Sequence, residues 1–403
     1  MVEILSNRLN HRLVPSLLQY FALFTVFTIF THQEAASQTS TWRGNHANNG
    51  NWSSAQNWTL QTQISNNNLA PVTNGDSLLF QGIKKLNNIN DLFNYSFANI
   101  TFNATAGSFT LNGNAITLTG SVNNNSSVTQ TFKLAALSFA ETRTVNAAAG
   151  DIHLNSVIQG NGGLSKTGAK DLFLSKNNTY LGATTVSSGT LVVNAGASIT
   201  PSTTTVESEG GLKVNGAAGT VIVNGRLSGS GSVGALSLRS GGTLAVGNSP
   251  GLLSASSATW SPNSNFEFEI TNASGTAGTS WDLLSVAGSL DLTTISSTNK
   301  MNLKILSTAL LNYNSNAEYS WIFAQAASLG GTDSWLSGQD VTDRFAINST
   351  GFNDNNQPGR GFKVVTGTSG SLATLSLIAI PEPTAGSLLL LGIAVMLGVR
   401  RAR

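Results

Sequence analysis

Short runs in which apolar and polar residues alternate fill most of the chain. In residues 108–119, for example, Phe109, Leu111, Ile116 and Leu118 alternate with polar residues on either side of a Gly-containing turn. An alternation with period two buries one face of a β-strand, and Asn-Gly or Gly-Gly pairs supply the positive φ angles of tight turns. Similar runs occupy residues 172–174, 184–186, 190–193, 221–223, 236–238 and 243–246. No helical periodicity interrupts these runs, so the sequence predicts an all-β fold.

The spacing of the runs favours stacked rungs, that is, a parallel β-helix or β-solenoid, although spacing alone leaves a β-sandwich open. We expect a solenoid over residues 38–252. Residues 253–379 form a second, C-terminal β-rich region with more Trp and Phe and fewer Gly-Gly pairs. The pattern in that region is compatible with further solenoid and with a small antiparallel domain. The residues expected to point into the solenoid core are Leu172, Leu174, Val186, Leu191 and Val193.

Residues 1–37 have the three parts of a secretory signal peptide. The basic residues Arg8 and Arg12 precede an apolar stretch at residues 13–30, and a short polar segment then leads to Ala35-Ala36-Ser37. Ala35 and Ser37 are small enough for the −3 and −1 positions of a cleavage site, so we predict a signal helix that is cleaved after Ser37. A retained N-terminal anchor is the alternative. In both cases the body of the chain is exported.

The other end of the chain, residues 380–403, combines a proline-flanked tripeptide, a short apolar run at residues 387–399 and an arginine-rich terminus. The apolar run is shorter than the roughly 20 residues that a stable transmembrane helix needs. Basic residues stay on the cytoplasmic side of a membrane, which leaves the preceding chain outside the inner membrane. An ordinary tail anchor and a processing signal are both compatible with this pattern.

This C-terminal segment resembles the PEP-CTERM sorting signal of Gram-negative bacteria. The resemblance implies that an exosortase, a membrane transpeptidase-like enzyme, recognises the tripeptide and removes a transmembrane helix that anchors the chain only transiently. The residues implied in recognition are Pro381, Glu382, Pro383, Arg400, Arg401 and Arg403.

The composition narrows the class of partner. Charged residues make up only 10% of the chain, against about 25% in typical soluble proteins. There is no basic stripe of the kind that binds nucleic acid, so nucleic acid is not expected as a partner. There is also no cysteine. An exported chain without disulfides must be held together by burial and backbone pairing, which suits a long solenoid.

Residues 162–194 are similar to the autotransporter-associated β-strand repeat. That repeat has a Gly-Leu-x-Lys-x-Gly opening, a Leu-x-Leu strand, an Asn-x-Tyr-x-Gly turn and a Thr-x-Val…Gly-x-Leu close. The chain departs from the pattern at Lys170-Asp171, where small residues are usual. The resemblance implies an architecture of exported surface proteins rather than a chemistry. The matching positions are Gly163, Leu164, Lys166, Gly168, Leu172, Leu174, Asn178, Tyr180, Gly182, Thr185, Val186, Gly189 and Leu191.

Three tryptophans, Trp42, Trp52 and Trp58, lie close together near the start of the exported chain. Exposed terminal rungs need an apolar cover against edge-to-edge pairing, so we expect these side chains to close the open end of the solenoid rather than to bind sugar.

No constellation of catalytic or metal-binding residues emerges from the sequence. His46 and His153 are not spaced as metal ligands, and Glu207 with Glu209 is the nearest approach to a pair of carboxylates, in a segment that suggests a solvated loop. Asp282 is expected to cap a turn at the start of a strand. We therefore expect no cofactor, no metal and no enzymatic activity.

The function expected from these patterns is that of a non-enzymatic surface or extracellular-matrix protein in adhesion, biofilm or exopolysaccharide association. Its expected partners are an exosortase-type enzyme, exopolysaccharide and, before processing, the inner membrane. The alternative is a carbohydrate-active β-helix enzyme, a polysaccharide lyase or hydrolase, that carries the same sorting tail. A complete autotransporter is disfavoured, because the C-terminus has no run of alternating strands that ends in an aromatic residue.

Overall fold

The computed structural model of the chain describes residues 38–60, 72–330, 335–352 and 361–381. This part of the chain contains β-strands and two 3₁₀ helices, Ala55–Asn57 and Thr342–Arg344, and no α-helix. The strands are β1 (Thr39–Trp42), β2 (Trp58–Leu60), β3 (Ser77–Phe80), β4 (Asn87–Asn90), β5 (Tyr95–Phe97), β6 (Ile100–Phe102), β7 (Thr110–Gly113), β8 (Ile116–Leu118), β9 (Val122–Asn124), β10 (Gln130–Leu134), β11 (Ala136–Ser138), β12 (Arg143–Ala147), β13 (Ile152–Leu154), β14 (Val157–Gln159), β15 (Leu164–Thr167), β16 (Leu172–Leu174), β17 (Thr184–Val186), β18 (Gly189–Val193), β19 (Ser198–Ile199), β20 (Thr204–Val206), β21 (Gly210–Val214), β22 (Ala217–Ala218), β23 (Val221–Val223), β24 (Arg226–Gly229), β25 (Ser232–Leu238), β26 (Thr243–Val246), β27 (Leu252–Trp260), β28 (Asn265–Asn272), β29 (Leu283–Asp291), β30 (Met301–Leu311), β31 (Tyr319–Gly330), β32 (Phe345–Phe352), β33 (Phe362–Ser369) and β34 (Leu372–Ala379).

The strands of the described residues form three sheets of 18, 12 and 4 strands, which we name sheets A, B and C. In the N-terminal half, each rung contributes one strand to sheet A, one to sheet B and one to sheet C, and the chain then returns to sheet A. Strand β6 lies in sheet A, β7 in sheet B and β8 in sheet C, and β9 then pairs with β6 in parallel. Hydrogen bonds between successive turns join residues 20 to 24 positions apart. This arrangement confirms the predicted all-β solenoid of parallel rungs.

The parallel ladders continue beyond Leu252. In sheet A, β27 pairs in parallel with β25, β29 with β27, and β31 with β29. In sheet B, β28, β30 and β32 extend the ladder in the same sense. Strand β34 reverses direction, since it lies antiparallel to both β31 and β33. At the N-terminal end, β2 likewise lies antiparallel to β1. The C-terminal β-rich region is therefore further solenoid that ends in an antiparallel pair.

The core consists of inward-facing side chains that stack from rung to rung. Register partners on successive sheet-B strands are Leu154, Leu174 and Val193, and all three are fully buried. Period-two alternation places the intervening residues on the outside. The inward orientation expected for Leu172, Leu174, Val186, Leu191 and Val193 is confirmed, because each of these side chains is 0% exposed.

The three N-terminal tryptophans close one end of this core. Trp42 and Trp58 meet edge to face with ring centroids 4.9 Å apart, and Trp52 meets Trp58 in the same way at 6.0 Å. All three pack against Phe80, and none is more than 1% exposed. Each indole N–H donates to an acceptor inside the protein. The expected covering role is confirmed, and no ring face is left open to a sugar.

Several sequence predictions fall outside the described residues. The signal helix with its cleavage residues Ala35 and Ser37 lies there, as does the C-terminal transmembrane helix. So do the implied recognition residues Glu382, Pro383, Arg400, Arg401 and Arg403; Pro381 is described and follows β34 closely. Within the part of the chain that the structure describes, no helix is long and apolar enough to cross a membrane.

Close approach of neighbouring rungs explains why the repeat requires glycine at its corners. A Cβ atom on Gly182 would lie 2.4 Å from the backbone nitrogen of Gly163, and one on Gly163 would lie 2.2 Å from the carbonyl oxygen of Ala183. Backbone atoms cannot yield as the end of a flexible side chain can. Glycine is needed here because two rungs touch.

We predict that Gly182→Ala lowers the free energy of unfolding by at least about 2 kcal/mol, because the added methyl group forces two backbones apart. Gly211→Ala is the matched control, since its Cβ would meet nothing closer than the Thr190 side chain at 3.4 Å. Urea unfolding followed by circular dichroism measures both. Equal stability of the two variants would show that the corner has room.

Candidate functional site

The repeat spans two rungs, and the first of them places a lysine inside the core. Along sheet A, Lys166 on β15 is the register partner of Val145 on β12 and of Val186 on β17. Both valines are fully buried inward-facing residues, and the Lys166 side chain is likewise 0% exposed. Lys166 therefore fills one place of an otherwise aliphatic stack, with its methylene stem in the position of a valine.

The ammonium group of Lys166 is held by three backbone carbonyls. Its Nζ donates to the oxygens of Thr167 at 2.9 Å, Gly168 at 2.8 Å and Ser188 at 2.9 Å. These bonds use all three donors of the group, so the buried charge is fully hydrogen-bonded. Burial lowers the pKa of Lys166 to about 8, although the carboxylates of Asp171 and Asp151 act in the opposite direction. The ammonium group therefore joins one rung to the next, and none of its N–H donors is left over for a ligand or a substrate.

Tyr180 and Asn178 of the same repeat are also structural. The Tyr180 hydroxyl lies 2.6 Å from the Thr184 hydroxyl, which lies 2.8 Å from that of Ser202. Burial raises the pKa of Tyr180 to about 12. Asn178 accepts the backbone N–H of Ile158 with its Oδ1 at 2.9 Å and donates to two carbonyls with its Nδ2. Asn178 directly, and Tyr180 through Thr184 and Ser202, thus connect one rung to the next.

A groove lies on the outer surface of the solenoid, at the corner between sheet B and sheet C. Its volume is about 760 Å³. We call it the basic groove, because two lysines and no carboxylate line it. It is lined by Lys133, Leu134, Ala135, Asn155, Val157, Ser175 and Lys176.

A pair of aromatic rings lies beside the basic groove on the outer face of sheet B. His153 on β13 is the register partner of Phe173 on β16, and their ring centroids are 4.4 Å apart. Both side chains are partly exposed. Asn155 and Ser175 come directly after the ends of these two strands, and their backbone N–H groups continue the ladder by bonding to Phe132 and Leu154. They follow His153 and Phe173 by two positions, which in extended chain puts them on the same face about 7 Å further along. The ring pair and the groove are therefore parts of one surface.

The candidate carboxylates of the sequence lie away from the basic groove. Glu207 and Glu209 belong to the turn between β20 and β21, as expected of a solvated loop. Asp282 is 2% exposed and accepts the backbone N–H groups of Gly251 at 2.9 Å and Glu269 at 2.8 Å. Burial raises the pKa of Asp282 to about 7, and the nearby carboxylates of Glu269 and Glu267 add to this shift. The Asp282 carboxylate, just before β29, thus joins its segment to Gly251 and to β28, instead of capping the local turn that the sequence predicted.

No cluster of three or more His, Cys, Asp or Glu side chains that could hold a metal ion occurs within residues 38–60, 72–330, 335–352 and 361–381. The basic groove was not predicted from the sequence, because its residues come from three successive rungs. A signal for it does exist. The outward position near the end of successive sheet-B strands, either one residue before the last or one residue after it, is polar. These residues are Asn112, Lys133, Asn155, Ser175 and Asn194.

Comparison with known families identifies the segment that contains Lys166, Asn178 and Tyr180. Residues 164–193 match the passenger-associated-transport-repeat family. The matched residues form β15 to β18 with their turns, which confirms the resemblance to an autotransporter-associated repeat. The repeat is that of passenger domains, and it indicates an exported or surface-located protein. No curated protein matches the sequence.

We predict a specific pH dependence from Lys166. The folded protein releases this proton near pH 8, whereas the unfolded chain holds it with a pKa of 10.5. Between these pH values the unfolded chain binds more protons, so this residue makes the free energy of unfolding rise with pH. Lys166→Met removes the titration. The difference in the free energy of unfolding, wild type minus Lys166→Met, should therefore increase from pH 8 to pH 10.

The matched control for this prediction is Lys170→Met, which removes an exposed lysine from the same rung. Its stability should run parallel to that of the wild type over the same pH range. Chemical unfolding at closely spaced pH values supplies the curves, and a Lys166→Met curve parallel to the wild type would contradict the assignment.

Proposed function

We propose that the mature protein is a non-enzymatic solenoid of the cell surface or extracellular matrix, with a role in adhesion, biofilm or exopolysaccharide association. The observation that carries this proposal is the passenger-type repeat within a continuous parallel solenoid. The buried polar groups of that repeat form hydrogen bonds that join the rungs. The outer face of the repeat is exposed and available for contact with other molecules. A long rigid body that spaces a binding face away from a membrane is what such an architecture supplies.

We further propose that export and retention follow the two terminal signals. The signal peptide is removed after Ser37, and the chain stays transiently in the inner membrane through residues 387–399. An exosortase-type enzyme then cleaves at the tripeptide Pro381-Glu382-Pro383. Two features support the second step. Proline on both sides of Glu382 disfavours a helix at the tripeptide. Pro381 lies two residues after the last strand, which ends at Ala379, so a cut there would leave every described strand in place.

The second candidate function is that of a polysaccharide-cleaving enzyme, and one observation favours it. Asp151 and Asp171 precede neighbouring strands of sheet B, and the Asp171 backbone N–H donates to Asp151 Oδ1 at 3.0 Å. Neighbouring carboxylates on the outer face are what acid–base cleavage of a glycosidic bond requires. However, Asp151 is engaged in capping the next rung. We therefore propose that the pair is structural and that the protein has no hydrolase or lyase activity.

The tail proposal predicts a defined change in mass. Protein isolated from its native host should lack the residues that follow the tripeptide, whereas Glu382→Ala should retain Arg400, Arg401 and Arg403. Intact-mass spectrometry distinguishes the two forms. Glu209→Ala, which alters an exposed glutamate of a surface turn, should be processed like the wild type. Native protein that still carries its arginines, with the same tail in the Glu382→Ala variant, would identify the segment as a plain anchor.

The non-enzymatic proposal predicts that purified protein leaves polysaccharides intact. Size-exclusion chromatography of a panel of neutral and acidic polysaccharides, before and after incubation, measures chain length directly. Cleavage by the wild type that is lost in both Asp151→Asn and Asp171→Asn would establish the second candidate function instead.

A further inference from the structure

We propose that the basic groove and the His153–Phe173 ring pair together form a binding site for an acidic polysaccharide, one that carries carboxylates on its sugar rings. The inference rests on the proposed surface function and names the class of ligand for it. Lys133 and Lys176 contact the carboxylates, Asn155 and Ser175 hydrogen-bond to hydroxyl groups, and the two rings pack against the apolar face of a sugar.

The charge of the groove is not compensated by the protein. The ion pairs of the described residues involve Arg143, Arg226 and Lys304, and neither Lys133 nor Lys176 takes part in one. Both lysines are exposed, and the lining of the groove contains no Asp or Glu. In a chain with only 10% charged residues, two unpaired cations in one concave site select an anionic ligand.

The spacing of the lysines suits a polymer of sugar rings. Register places Lys133 one rung before Asn155 and two rungs before Ser175, which precedes Lys176. Since rungs are about 4.8 Å apart, the two lysines sit roughly 10 Å from each other along the solenoid axis. One rung is close to the length of a single sugar residue in an extended chain. A polysaccharide that runs along the axis can therefore present a carboxylate to each lysine.

The polar surface also extends beyond the groove in the direction of the axis. Asn112 lies one rung before Lys133. Asn194 lies one rung after Ser175 and donates to Ser175 Oγ over a distance of 3.0 Å. Further on, Asn248 donates to Asn215 Oδ1 at 2.9 Å. From Asn112 to Asn215 this row covers about 24 Å at the rung spacing of parallel strands. A row of that length fits several sugar residues rather than a single small molecule.

An acidic peptide fits this surface less well. Extended peptides gain most of their affinity by adding a strand to a sheet edge, where backbone donors and acceptors are free. The basic groove lies on the face of sheet B and at its corner, where the backbone groups pair with the rungs on either side. Only side chains are available for contact, and amide, hydroxyl and aromatic side chains suit a sugar.

The test is direct binding of polygalacturonate fragments to the full mature protein, measured by isothermal titration calorimetry. Fully methyl-esterified fragments of the same length provide a matched ligand without charge, and polyglutamate provides an anionic chain without sugar rings. We expect the wild type to bind polygalacturonate, and to bind the ester and polyglutamate more weakly. Raising the salt concentration from about 50 to about 500 mM should weaken binding of the charged polysaccharide, because the lysines are exposed.

The double variant Lys133→Gln/Lys176→Gln should weaken polygalacturonate binding by about five- to tenfold, as expected for two exposed charge contacts. The double variant Lys85→Gln/Lys300→Gln removes the same charge from outside the groove and should bind like the wild type. Phe173→Ala should weaken binding of the acid and of its ester alike, because ring packing does not depend on ligand charge. Circular dichroism confirms that each variant is folded.

Several results would overturn the inference: no binding by the wild type, equal losses in the two double variants, or polyglutamate binding as tight as that of polygalacturonate. The last result would indicate an acidic peptide as the ligand. Failure here is separable from failure of the proposed function. Cleavage of the bound polysaccharide would disprove the non-enzymatic function while leaving the site in place, and normal tail removal without polysaccharide binding would do the reverse.

Discussion

The stacking of each backbone rung on the next is the constraint on which the rest of this structure depends. Parallel pairing fixes the rungs about 4.8 Å apart, and at that distance each rung must satisfy the hydrogen-bonding groups of its neighbours. Corners at which two rungs touch admit no side chain, as at Gly163 and Gly182. Ends at which no further rung follows need a cover, and three tryptophans supply it at the N-terminal end. Without disulfides, this ladder and the stacked core provide the cohesion of the exported chain.

The same constraint explains why polar side chains occur in the core at all. A buried polar group is tolerated only when its hydrogen bonds are made. Lys166 donates to three carbonyls, and Asn178 makes one bond to the preceding rung, one to the following rung and one within its own rung. These residues sit in the passenger-type repeat, where they link rungs in a way that an aliphatic residue cannot. In this repeat the buried polar groups thus serve to join the rungs.

Since folding uses the inward positions, the outward positions are free to serve function. On sheet B the outer face brings His153 next to Phe173 and places Lys133 and Lys176 in one groove. None of these side chains is required by the core. Because the inner surface sets the fold, residues of the outer surface can differ without a change in the core.

Period-two alternation is a local property, so the all-β class, the rung-like spacing and the inward direction of residues such as Leu172 and Leu174 could be predicted from the sequence. The sequence also predicted the tryptophan cover. It left open whether the region after Leu252 continued the solenoid, since strand direction depends on partners distant in the chain. It missed the basic groove for the same reason. Lys133 and Lys176 are far apart in sequence, and only the winding of the chain, which returns to the same sheet after each turn, brings them to one surface.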